Sequence, residues 1–461
     1  MMSYDTETLI ALDREYVWHP FTPMKAWVEK ADPLVIARGE GIYLYDTTGR
    51  RYIDGSASIW CNVHGHAVPV IDAAITAQLQ QVAHTSLLGL ANIPSTLLAK
   101  RLIDLAPAGL RKVFYSDNGS TAVEVACKMA YQFWQNQGQR QRTRFLAFDW
   151  AYHGDTLGAV SLGGIPLFHQ AFKNLCFPVD LVAPPICWSC RDHQPGAACC
   201  GRTLTQLEAL LQKSPDAYAA LIVEPLVQGA GGMLMAPPGF LRAVRDVCRR
   251  YDVLLIADEV MTGFGRTGTM FACEQEDVCP DFMCLSKGLT AGYMPLGATL
   301  TTQRVYDAFY ADPKELKTFF HGHTFTGHPL ACAAALASLD LFEQNQLLSH
   351  VQAMAPIMAE ELAQARGMPH VADVRTCGLI GAIELMADPA EKQPFPYHWR
   401  IGGELCTALR SKGVLLRPLA DVVVIMPPLA INENDLRYLC RVAVESIVQI
   451  PHLIERKMQE S

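Results

Sequence analysis

Two neighbouring stretches, Val253–Val260 (VLLIADEV) and Asp281–Gly288 (DFMCLSKG), decide how the rest of the chain is read. Each is an apolar run of strand length that closes on a charged residue, Asp258 in the first and Lys287 in the second. Runs that are apolar on both faces belong to strands covered by helices on two sides. A carboxylate or an ammonium at that depth requires a partner, because unpaired charge is costly to bury. On strand alternation, Val260 shares a face with Asp258, so that a carboxylate and an apolar side chain front one site. Lys287 ends the second run among small and apolar residues, and a desolvated lysine becomes a nucleophile or base. A solvated surface lysine and a turn-capping aspartate are the plainer readings of either residue alone. Together they match cofactor chemistry, in which a lysine holds pyridoxal phosphate (PLP) as a Schiff base and an acid faces the pyridine nitrogen.

The same pattern extends outward. KVFYSD (112–117), TRFLAFD (143–149) and AALIVEP (219–225) are further strand candidates. Segments with helical spacing lie between them, including 70–83, 93–106, 120–135 and 239–252. Strands alternating with helices indicate a mostly parallel α/β sheet with helices on both faces, which binds ligands beyond the carboxyl ends of its strands. IYLYDTTGRRYID (42–54) reads as strand, turn, strand, and the chain from about 336 onward as a separate α+β unit. The divisions expected are 1–60, an N-terminal arm and part of a small domain; 61–335, a large cofactor-binding domain; and 336–461, a C-terminal small domain.

An anion site is expected where KVFYSD gives way to a helix, with Gly119 and Ser120 presenting backbone N–H groups behind a Gly-Ser cap. Tyr152, in AYHGDT, is placed to stack on a flat ring with Val260 on the other face; plain packing is the alternative. Gly263–Gly268 (GFGRTG) matches the dinucleotide fingerprint G-x-G-x-x-G, but no amphipathic helix follows it, so a nicotinamide site is set aside.

The bulk properties narrow the class. Net charge is −8, half the residues are apolar and 18% are charged. With no basic cluster, a nucleic-acid surface is not expected. The first residues lack an apolar leader core and no run of about 18 uncharged apolar residues occurs, so neither a signal peptide nor a membrane span is expected. Fifteen cysteines in such a chain suggest free thiols in a reducing, cytoplasmic setting. Cys187, Cys190, Cys199 and Cys200, with His193, have zinc-like spacing. The adjacent pair is poorly placed for one tetrahedral centre, and an insertion loop without metal is expected.

WHPFTPM, NGSTAVEVACKMA, AYHGDT, EPLVQGAGG, LLIADEVMTGFGRTG, LSKGLTAG and HGHTFTGHPLA occur in that order. The chain thereby resembles the class III (subgroup II) aminotransferases over nearly its whole length. The resemblance implies a PLP-dependent transferase of fold type I, with Lys287 as the Schiff-base lysine and proton shuttle and Asp258 on the pyridine nitrogen. It places Tyr152 and Val260 at the ring and Gly119 and Ser120 on the phosphate. Thr324, with His323 beside it, would reach the cofactor of a partner subunit, making a homodimer with shared sites. It assigns Phe21, Ile59, Trp60, Tyr152, Gly322 and Arg417 to the substrate pocket, with Arg417 on a substrate carboxylate. Glu224 and Arg266 lie in family motifs without an assigned role.

Within the class, WHPFTPM and RPLADVVVIMPPLA resemble the branch that converts 8-amino-7-oxononanoate (KAPA) to 7,8-diaminononanoate in biotin biosynthesis. The amino donor in that branch is S-adenosylmethionine or L-lysine, used in a ping-pong cycle. Members using S-adenosylmethionine usually carry tyrosine at the position of Phe21 and tryptophan at that of Ile59. NVHGH, HTSLLGLANIP, LKTFFHGHTFTG and RPLADV resemble the lysine-using members. A class III aminotransferase for ω-amino acids or diamines is the alternative reading.

Overall fold

A computed structural model describes residues 5–185 and 198–460 of the chain. Its centre is a seven-stranded sheet in the order Leu110–Ser116, Gly297–Thr302, Phe282–Leu285, Leu254–Asp258, Tyr218–Val223, Arg144–Phe148, Val179–Val182. All neighbours pair in parallel except Gly297–Thr302, which is antiparallel to both of its partners. The three strands Tyr218–Val223, Leu254–Asp258 and Phe282–Leu285 are buried at every position. That is why they read as continuous apolar runs rather than alternating ones.

Helix Gly119–Asn136 covers one face, burying Val123, Ala126, Ala130, Phe133 and Trp134. The Trp134 indole N–H also donates to Ala219 O at 2.8 Å. The helix is capped by Asn118, not by the expected Gly-Ser pair: Asn118 Oδ1 accepts the Thr121 N–H, and Thr121 Oγ1 accepts the Asn118 N–H. An amide side chain one residue earlier satisfies the end donors better than a serine already inside the first turn.

Two further expectations shift at the strand ends. Leu254–Asp258 stops at Asp258, so Val260 lies in the following turn and its direction is not set by strand alternation. Phe282–Leu285 ends before Lys287, which opens a 3-10 turn, Lys287–Thr290, with φ of 46°. Gly263–Gly268 leads into a short 3-10 turn, Ala272–Glu276, and not into a helix.

Two smaller four-stranded sheets flank the centre. One joins Ile36–Glu40, Tyr43–Asp46 and Arg51–Asp54 to Val414–Leu415; the other runs Val371–Cys377, Ile380–Leu385, Val422–Ile425, Arg417–Leu419. N-terminal strands thus pair with a C-terminal one, Ile53 opposite Val414. Helix Pro329–Gln344 runs without interruption through residues 335 and 336. No helix of the described residues is long and apolar enough to cross a membrane. The cysteine-rich stretch lies outside the described residues: 186–197 are not described, nor are the side chains of Cys199 and Cys200.

Candidate active site

Asp258 leaves the central sheet at its carboxyl end, only 5% exposed. Its Oδ2 is 2.8 Å from His153 Nδ1, and its Oδ1 accepts the Val260 N–H at 3.1 Å. His153 is buried, and its other ring nitrogen, Nε2, has no partner among the described residues. Parallel pairing sets Asp258 opposite Cys284, three residues before Lys287. Burial pushes the Lys287 amine down from its ordinary value, while Asp258, Cys61 and Glu224 pull it back up. The amine also lies 5.0 Å from the centre of the Trp60 ring.

Glu224, at the end of the neighbouring strand, accepts the Tyr152 N–H at 3.1 Å and the Gly229 N–H at 2.7 Å. Burial pushes this carboxyl up to about 7, with His153 opposing and Asp258 adding to the shift. Near neutral pH it therefore exchanges a proton readily. The Tyr152 hydroxyl donates to Asp155 at 2.7 Å, and its ring lies parallel to His169 at 6.3 Å between centroids. Phe168 stands edge-on to Tyr152, and Phe21 edge-on to Phe168 at 5.2 Å, which links Phe21 to the site.

The start of helix Gly119–Asn136 faces the same place. A Cβ at Gly119 would lie 2.6 Å from Val260 Cγ1, so only glycine admits that approach. Ser120 Oγ accepts the Asp155 N–H at 3.1 Å. Gly154, with φ of 127°, leaves no room for a Cβ beside Ser120 Oγ. Gly154→Ala is therefore expected to destabilise the protein by roughly 2–4 kcal/mol, from a disfavoured backbone and a steric overlap. A thermal midpoint equal to wild type would contradict it.

The remaining expected residues are mostly exposed. Ile59 is 45% exposed and Phe21 54%. Arg417 is exposed, its backbone N–H on Ser56 Oγ at 3.0 Å, and its guanidinium has no partner among the described residues. His323 Nδ1 lies 2.8 Å from Asp117 Oδ2, which brings HGHTFTG against the chain just before Gly119. Thr324 and Gly322 are exposed, and a Cβ at Gly322 would meet nothing. Arg266 is buried and makes hydrogen bonds to the carbonyls of Pro427 and Asn62, so it ties distant segments together.

His153 and Glu224 join the site as well, and both leave a signal in the chain. Glu224 directly follows the all-apolar strand Tyr218–Val223, much as Asp258 closes its own, and His153 follows Tyr152 in AYHGDT.

These residues fit PLP. The buried carboxylate of Asp258 suits a protonated ring nitrogen, the first-turn N–H groups of Gly119 and Ser120, which have no acceptor within the helix, suit a phosphate, and the desolvated Lys287 amine suits an aldehyde carbon. His153 Nε2, buried without a partner, is the kind of orphan that a bound group or water completes.

Comparison with known proteins agrees. The family model for class-III aminotransferases matches residues 25–448. The chain is 54% identical over 440 residues, 95% of its length and 97% of the relative's, to the adenosylmethionine-8-amino-7-oxononanoate aminotransferase of Geobacter sulfurreducens. It superposes on the crystal structure of the same-named enzyme from Methanocaldococcus jannaschii with a TM-score of 0.91 at 41% identity, covering 96% of this chain and 99% of that one. An amine transaminase from an uncultivated Pseudomonas species, solved with PLP bound, gives 0.88 at 37% identity, covering 94% and 99%. The chain belongs to the class III aminotransferases and is a PLP-dependent transaminase of fold type I.

Proposed function

We propose that this transaminase converts KAPA to 7,8-diaminononanoate in biotin biosynthesis, with L-lysine as the amino donor. The observation that carries the substrate is the relatedness itself. Relatives 54% and 42% identical, covering 95% and 97% of the chain, are both named adenosylmethionine-8-amino-7-oxononanoate aminotransferase; these names support the KAPA substrate and not the lysine donor, which rests on the chain's own residues. Arg417, exposed and with no guanidinium partner among the described residues, offers the bidentate partner that the carboxylate of KAPA requires.

When bound, PLP supplies an electron sink conjugated to the reacting amine. The chain's own residues do the rest. Lys287 Nζ, its ammonium form disfavoured by burial, would take the proton from the donor carbon that bears the amine. Asp258, held by His153 and the Val260 N–H, would present its carboxylate to the ring nitrogen. Gly119 and Ser120 would hold the phosphate at the helix start, and Tyr152 would stack on or beside the ring. Donor and KAPA use the one site in turn.

The donor assignment is supported by Phe21 and Ile59. Both are apolar and exposed, where a tyrosine hydroxyl and an indole would better suit a sulfonium and an adenine. The exposed hydroxyl of Thr324 is kept for the cofactor phosphate of a second copy, so the working unit in this reading is a homodimer. The pairing of Ile53 with Val414 supports a small domain built from 1–60 and 336–461 around a large domain of 61–335.

A half-reaction tests the substrates. Purified PLP enzyme mixed with excess L-lysine should lose its visible band, and KAPA should restore it. Conversion by S-adenosylmethionine but not by lysine would overturn the donor. Failure of KAPA to restore the band, with recovery by an ω-keto acid or amino aldehyde, would replace KAPA by the substrates of the ω-amine aminotransferases.

A further inference from the structure

Beside Lys287 runs a backbone that L-residues avoid. Ala57, Ser58, Ile59 and Trp60 have φ of 44°, 48°, 72° and 67°. With ψ of 49° and 51° at Ser58 and Ile59, the four form one turn of left-handed helix. The turn is closed by the Trp60 N–H on Ser56 O at 2.8 Å and the Cys61 N–H on Ala57 O at 2.9 Å. None of the four is glycine, and Ile59 is β-branched. In this conformation each Cβ crowds a carbonyl oxygen, so the turn persists only if its surroundings hold it.

Asp54 holds it. The carboxylate is buried, its side chain 4% exposed. Oδ1 accepts the Ser58 N–H at 3.0 Å, and Oδ2 accepts the Ser58 hydroxyl at 2.7 Å and lies 3.1 Å from His66 Nε2. The turn sits on the segment that carries Lys287, since a Cβ at Gly292 would lie 3.1 Å from Cys61 Sγ. At its other end Ser56 Oγ accepts the Arg417 N–H. The result is an indole whose ring centre lies 5.0 Å from Lys287 Nζ, within cation–π range.

We propose that Asp54 is a positioning residue of this site: its carboxylate holds Ala57–Trp60 in a left-handed turn, and the turn sets the Trp60 indole over the Lys287 amine. The proposal rests on the reading of Lys287 as the reactive amine. The indole face carries negative charge density and favours the protonated Lys287 nitrogen against its desolvation. Asp258, Glu224 and Cys61 are the other groups that act on that nitrogen. A turn relaxed to right-handed helix would carry the Trp60 side chain elsewhere.

The test uses the PLP-loaded enzyme without substrate and reads the pH midpoint of its visible band. Asp54→Ala and Trp60→Leu should each lower the midpoint by about 0.4–0.7 unit, the shift expected from losing one cation–π contact. The double variant should shift no further than Trp60→Leu alone, because both remove the same contact. A clamp with a merely structural role would lower the thermal midpoint and leave the pH midpoint at the wild-type value. That result, or additive shifts, overturns the proposal. Should Asp54→Ala fail to fold, Ser58→Ala, which removes only the hydroxyl link, is put through the same cycle and decided by the same outcomes. Lys287→Ala separates the premise: a band that still titrates as in wild type would mean that Lys287 does not carry the cofactor, whatever Asp54 does.

Discussion

Replacing Lys287 with alanine is expected to lower kcat roughly 10²–10⁴-fold from the lost proton transfer alone, and further because the covalent attachment is lost. The expectation follows from the setting of the amine. It opens a 3-10 turn directly after a fully buried strand, and burial holds it below the ordinary lysine range. A lysine kept there for stability would be a poor choice, since its ammonium is expensive to desolvate. The fold should therefore survive the substitution, with an unchanged far-UV circular dichroism spectrum, while diaminononanoate formation disappears. Turnover retained in the variant would remove Lys287 from the chemistry and with it the proposed mechanism.

Asp258→Asn should lower kcat roughly 10²–10³-fold, the usual effect of removing one preorganised electrostatic partner. Asparagine has nearly the same shape and can still accept the Val260 N–H, so packing is preserved. The amide cannot balance a positive charge on the ring nitrogen, and His153 loses an anionic acceptor at 2.8 Å. Cofactor retention should weaken in parallel, seen as faster loss of the visible band on dialysis. Wild-type turnover in a folded, PLP-loaded variant would show that the carboxylate does not face the ring.

Much of the arrangement was legible along the chain because burial leaves a one-dimensional mark. Tyr218–Val223, Leu254–Asp258 and Phe282–Leu285 are covered on both faces, so their composition alone marks central parallel strands. A charged residue at the end of such a run, Asp258 or Glu224, stands out against it. Gly119 and Gly154 are legible as glycines, though their reasons are not: the approach of Val260 and the lack of room beside Ser120 Oγ appear only in three dimensions.

Other features depended on contacts between distant segments. Local pattern suggested a Gly-Ser cap where Asn118 does the work, and it extended two strands by two residues, because strand ends are set by pairing partners rather than by propensity. The partnership of His153 with Asp258 joins residues 105 positions apart, and no spacing rule reaches that far. The left-handed turn Ala57–Trp60 contradicts the preference of every residue in it. Local sequence determined the layered α/β fold, its central strands and the two charges at their ends, since those follow from which side chains must leave water. Tertiary structure decided which way Trp60, Val260 and Lys287 face, since buried partners such as Asp54 can hold a backbone where its own residues would not go.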